Sequence, residues 1–108
     1  MLFQFNRDNQ IQGNEADPDQ LEEIVRGRLD RILQQVTRVE VHLGHVKESR
    51  TDNPEFRCSI EVRPEGMGAV AAAAEGVGVE AVVRSASDKV LHAFDKAVGK
   101  RAARAGGH

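Results

Sequence analysis

His42, His45 and Cys58 are the residues of this chain best suited by type to hold a metal ion. Imidazole nitrogen and thiolate sulfur are the usual zinc donors, but a site needs three or four of them converging on one point. The spacing works against convergence. Both histidines fall in the alternating stretch Thr37–Val46, and residues three apart on a strand point to opposite faces. Cys58 lies between Phe56 and Ile60 on the apolar side of a second alternating stretch, so it reads as a small core residue and not as a nucleophile. Gly66, Gly68, Gly76 and Gly78 lack the Gly-Lys-Ser/Thr ending of a phosphate loop and read as turns at strand ends. The carboxylates are many and scattered, and no pair stands out as acid and base. No catalytic residue, metal ligand or cofactor is assigned, and neither an enzyme nor a small-molecule substrate is expected.

The basic residues carry more information. From Val77 to His108 there are six bases (Arg84, Lys89, Lys96, Lys100, Arg101, Arg104) and three acids (Glu80, Asp88, Asp95), a net charge of +3. The preceding residues have nine bases and fourteen acids, net −5, and the two parts sum to the overall −2. Lys89, Lys96 and Lys100 are spaced by seven and four, so on a helix they share one face, with His92 in the same row. Such a row can track phosphates, since each Lys or Arg that meets one releases counterions. The competing reading is a solvated helix face on which Glu80, Asp88 and Asp95 pair with these bases. Arg38, Arg57 and Arg63 form a second basic set, which Glu40 and Glu61 are expected to neutralise through cross-strand pairs. The four Phe fall mostly on apolar stripes, leaving no aromatic platform for stacking bases. RNA, if bound, is met through its backbone and shape.

The elements that position these residues follow from periodicity. Leu2–Asn6 reads as a short strand with Phe3 and Phe5 on one face, followed by a connector over Arg7–Gly13. Asp17-Pro18 starts a helix, with Asp17 as cap, Pro18 at the first position and Gln20 at capping-box spacing. Its apolar stripe is Leu21, Ile24, Val25, Leu29, Ile32, Leu33 and Val36. Thr37–Val46 and Pro54–Arg63 alternate as antiparallel strands with one dry and one wet face, joined by a polar loop over Lys47–Asn53. Met67–Glu75 is rich in alanine, which favours helix, but it is short and bounded by glycines and reads as a third paired strand. Gly78 opens the last helix, with Val79, Val82, Val83, Ala86, Val90, Phe94, Ala97 and Val98 as its buried stripe. The predicted fold is α+β in the order β-α-β-β-β-α, a two-layer sandwich with a four-stranded sheet and two helices on one face. A single domain over 1–104 and a flexible tail over 105–108 are expected.

That order, with several local strings, resembles the ribosome hibernation-promoting factor and ribosome-associated inhibitor family, also called sigma-54 modulation protein or ribosomal subunit interface protein. The strings are Phe3-Gln4-Phe5-Asn6 with Asn9, Arg38-Val39-Glu40-Val41-His42-Leu43, Ala74-Glu75-Gly76, and Ser87-Asp88-Lys89-Val90. The resemblance covers nearly the whole chain and is to the short form, without the C-terminal dimerisation domain of longer members. It implies a fold similar to double-stranded-RNA-binding domains. It also implies binding to rRNA of the small ribosomal subunit near the decoding site, and hence translation inhibition without chemistry. Carried over by position, the RNA-binding residues are Lys89, Lys96 and Lys100 on the last helix and, less directly, Arg26 and Arg28 on the first. Arg84, His92 and Arg101 join them from the charge pattern. His92, Ala97 and Val98 stand where bases are common in the family. The alternative is a protein-interaction module on the same fold without RNA binding, which self-associates or docks a partner through a sheet edge or the wet face.

The bulk composition bounds these readings. One cysteine forms no internal disulfide, and no apolar run approaches the roughly 18 residues of a membrane span. The N-terminus lacks the charged and apolar regions of a secretory signal. A cytoplasmic protein, monomer or weak dimer, with no membrane partner, is expected.

Overall fold

The computed structural model describes residues 1–8, 11, 17–46 and 55–106, with the backbone alone for 101–106. The loop expected over Lys47–Asn53, and Gly107 and His108 of the expected tail, lie outside the described residues. The elements are β1 (Leu2–Arg7), α1 (Pro18–Leu29), a 3₁₀ segment (Asp30–Gln35), β2 (Val36–His45), β3 (Phe56–Pro64), β4 (Val70–Gly76) and α2 (Val79–Gly106). The sheet order is β1-β2-β3-β4. β1 runs parallel to β2, as a strand joined through a crossover helix must. The other two pairings are antiparallel. The α+β sandwich is therefore the one the periodicities predict.

Local chemistry explains most boundaries. Asp17 caps α1 by accepting from the Asp19 amide at 3.0 Å, with Pro18 opening the first turn. Gln20 does not close a capping box: its Nε2 donates instead to Glu80 Oε1 of α2 at 2.7 Å. The long stripe expected to carry one helix to Val36 is split. The chain tightens to 3₁₀ at Asp30, and Val36 opens β2. Ile32 stays fully buried through the change, because a 3.0-residue turn and a 3.6-residue turn return a side chain to nearly the same face over a single turn. Gly66, at φ 70°, makes the turn between β3 and β4 in a region that other residues avoid.

The core lies between the sheet and the helix layer. Val39, Val41, Cys58, Ile60 and Val62 of the sheet and Val25, Leu29, Val83 and Val90 of the helices are fully buried. Each such aliphatic side chain contributes about 1.5–3 kcal/mol relative to exposure. Phe3 and Phe5 pack against this cluster from β1, and Ile11 joins it from the connector. His45 shares the inner side, its ring 5.0 Å from that of Phe56, while His42 is exposed on the outer face. The two histidines thus diverge, and among the described residues no group of three or more potential ligands could hold a metal.

Candidate nucleic-acid interface

α2 is set by its apolar stripe, which packs it over β3 and β4 and beside α1. At about 100° per residue, Lys89, Lys96 and Lys100 fall within about 40° of one another on the flank turned away from α1. All three are exposed, and none forms an ion pair with a described residue.

The acids of α2 have other partners. Asp88 accepts from Arg28 of α1 at 3.3 Å, and Asp95 from Arg31 of the 3₁₀ segment at 2.9 Å. Glu80 takes Arg84 at 3.5 Å as well as Gln20. The competing reading, a helix face paired with its own acids, therefore holds for Arg84 alone. Two of the three acids turn toward the neighbouring helix, and the lysines keep their charge for solvent or a ligand. Each exposed bridge is worth only about 0.2–1 kcal/mol. Their consequence for the site is directional: they settle which flank of α2 is acidic and which is basic.

The other predicted contacts separate into groups. His92 is exposed and, with Arg84, Ser85, Asp88, Lys89 and Ala81, lines a shallow open groove along the outer face of α2. Arg28 borders this surface but is held by Asp88. Arg26 is elsewhere. Its Nε donates to Glu22 at 2.8 Å, and its guanidinium carbon lies 4.6 Å above the Phe3 ring, on the β1 side of α1. Residues 26 and 28 are about 200° apart around the helix, so α1 does not present them together. The Arg101 side chain lies outside the described residues. Sequence reasoning passed over Arg31, whose role as the partner of Asp95 depends on a contact 64 residues away in the chain.

The outer sheet face is banded. The β2–β3 register sets Arg38 opposite Arg63 and Glu40 opposite Glu61. Like charges directly opposite cost stability, so the expected cross-strand neutralisation by these glutamates does not occur. Glu40 pairs within its own strand, with Arg38 and His42 at 3.4 Å each. Arg57 does find a cross-strand acid, Glu75 of β4, at 3.0 Å.

Comparison with known proteins adds the following. The family described as "Sigma 54 modulation protein / S30EA ribosomal protein" matches residues 10–103. Among solved structures, the chain is similar to the N-terminal domain of Thermus thermophilus Protein Y. The identity is 23%, the TM-score 0.59, and the match covers 81% of this chain and 87% of that one. It is also similar to a ribosomal subunit interface protein from Coxiella burnetii, at 16% identity and a TM-score of 0.64, covering 91% and 99%. At these identities the structural likeness concerns the fold. No curated protein matches the sequence.

Proposed function

The chain belongs to the sigma 54 modulation protein / S30EA ribosomal protein family, and from that premise we propose that it is a ribosome-associated hibernation factor. It binds rRNA of the small subunit near the decoding site through α2 and so holds ribosomes out of translation in the cytoplasm. One observation carries the reading. All three acids of the described part of α2 are engaged by Arg84, Arg28 and Arg31, while Lys89, Lys96 and Lys100 stand in one row without a carboxylate. A row of this kind suits a phosphate backbone, with Arg101, Arg84 and His92 at its margins and Arg28 as a secondary contact; Arg26, over Phe3 on the β1 side of α1, lies away from it.

Co-sedimentation with small ribosomal subunits over a salt series tests it. Three phosphate contacts give a slope of log K against log salt of about −2 to −3. Lys89→Glu with Lys96→Glu should remove most of the binding and flatten the slope by about 2. No binding at low salt, or binding indifferent to that double substitution, defeats the proposal. A second reading is favoured by the banded sheet face, whose opposed like charges suit a complementary partner or a second copy. Light scattering that finds a dimer indifferent to ribosomes would put that reading first.

A further inference from the structure

β4 is an edge strand: the sheet ends with it, and among the described residues no strand lies beyond. Its outward N–H and C=O groups have no ladder partner. The strand reads Val-Ala-Ala-Ala-Ala-Glu-Gly. It carries no Lys or Pro and pairs with β3 without a bulge, so three of the usual devices that blunt an edge are missing from the strand itself. Val70, Ala72 and Ala74 turn to the core under α2, and on the outer face Ala71 and Ala73 present only methyl groups beside the neighbours of an added strand. Glu75, the one charged residue, is already bound to Arg57.

The flank of α2 that overhangs this edge is the lysine row. α2 returns antiparallel over β4 after the short connection Val77-Gly78. At 1.5 Å per helical residue, Lys89 stands about 15 Å past Val79, and at about 3.4 Å per strand residue that is abreast of Ala72. Lys96 stands about 25 Å past Val79, near the start of β4. The other free edge differs. β1 carries Gln4, Asn6 and Arg7, and the arginine that overlies it, Arg26, is taken by Glu22.

We infer that the outer edge of β4 is a docking edge for an extended acidic segment of a partner protein, which adds as a fifth strand and sets carboxylates beneath Lys89 and Lys96. The backbone ladder supplies attachment, and the lysines select for acid. A second copy is disfavoured by the same charges. Antiparallel pairing of two β4 strands would bring two lysine rows face to face with no carboxylate between them.

The test titrates the ¹⁵N-labelled chain with an eight-residue peptide alternating Glu and Val, with its Lys-Val counterpart, and with the acidic peptide N-methylated along its backbone. The acidic peptide should move the amide signals of Val70–Gly76, and the other two should not. Lys89→Glu with Lys96→Glu should weaken the acidic peptide about tenfold. Equal binding by the N-methylated peptide reduces the effect to charge alone and overturns the inference. So does the absence of peptide binding, or the same amide shifts appearing on concentrating the protein by itself, which would mark self-pairing. A uridine oligonucleotide that moves the β4 signals where the acidic peptide does not overturns it in favour of RNA.

Discussion

Cys58 shows how much a single buried atom can report. It is fully buried between β2 and β4, opposite Leu43 and Ala74. Burial disfavours the thiolate and pushes the thiol from 9.0 up to about 12. In the unfolded chain it ionises near the ordinary value, so between about pH 9 and 12 the folded state keeps a proton that the unfolded state has released. Stability should therefore fall as pH rises through that window, with a slope of at most about 1.4 kcal/mol per unit from this group. Urea midpoints at pH 8, 9 and 10 for the native chain and for Cys58→Ala measure it, and the two pH profiles should diverge only above about pH 9. The thiol should also be silent to thiol reagents at pH 8 in the folded chain and react at the rate of unfolding. Prompt labelling would mean the β2–β3–β4 layer opens locally.

At the level of elements, the bridges Arg28–Asp88 and Arg31–Asp95 link α1 and the 3₁₀ segment to α2 across a contact that apolar packing sets. Asp88→Asn with Asp95→Asn should cost about 1 kcal/mol by thermal denaturation, since both pairs are exposed. It should also strengthen binding to small subunits, because two negative charges leave the helix of the lysine row. Weaker binding would mean that the bridges' effect on the placement of α2 outweighs their charge. The strands and the existence of both helices were legible in the sequence, because alternation in β2 and β3 and the valine stripe of α2 are short-range signals. Even β4 was legible through its bounding glycines, despite four alanines. What stayed hidden depended on partners distant in the chain. The destination of Asp88 and Asp95, the meeting of Glu40 with Glu61, and the transfer of Gln20 from its own cap to Glu80 all follow from register and packing, which periodicity does not encode. The lysine row itself was readable from spacing. That it stands unpaired was not.

The molecule as a whole is longer than its core requires. Its extents are 54 × 28 × 18 Å and its radius of gyration is 15.0 Å, against about 13 Å for a compact domain of this length. α2 accounts for the excess. Its 28 residues span about 42 Å, whereas seven residues of β4 span about 24 Å. Among the residues whose side chains are described, Val98 is the last of α2 packed against the core, and the sequence beyond it contains Lys100, Arg101 and Arg104 with no acid. The backbone of α2 thus runs on past the described core in a stretch whose sequence is basic, while residues 1–76 are net acidic. Removing residues 99–108 should therefore leave the thermal midpoint within a few degrees of the native value while weakening ribosome binding. The salt slope should shrink by up to one unit for each of the three bases that met a phosphate. A large fall in midpoint would show that the helix end contributes to the core. An unchanged slope would confine the interface to Lys89 and Lys96.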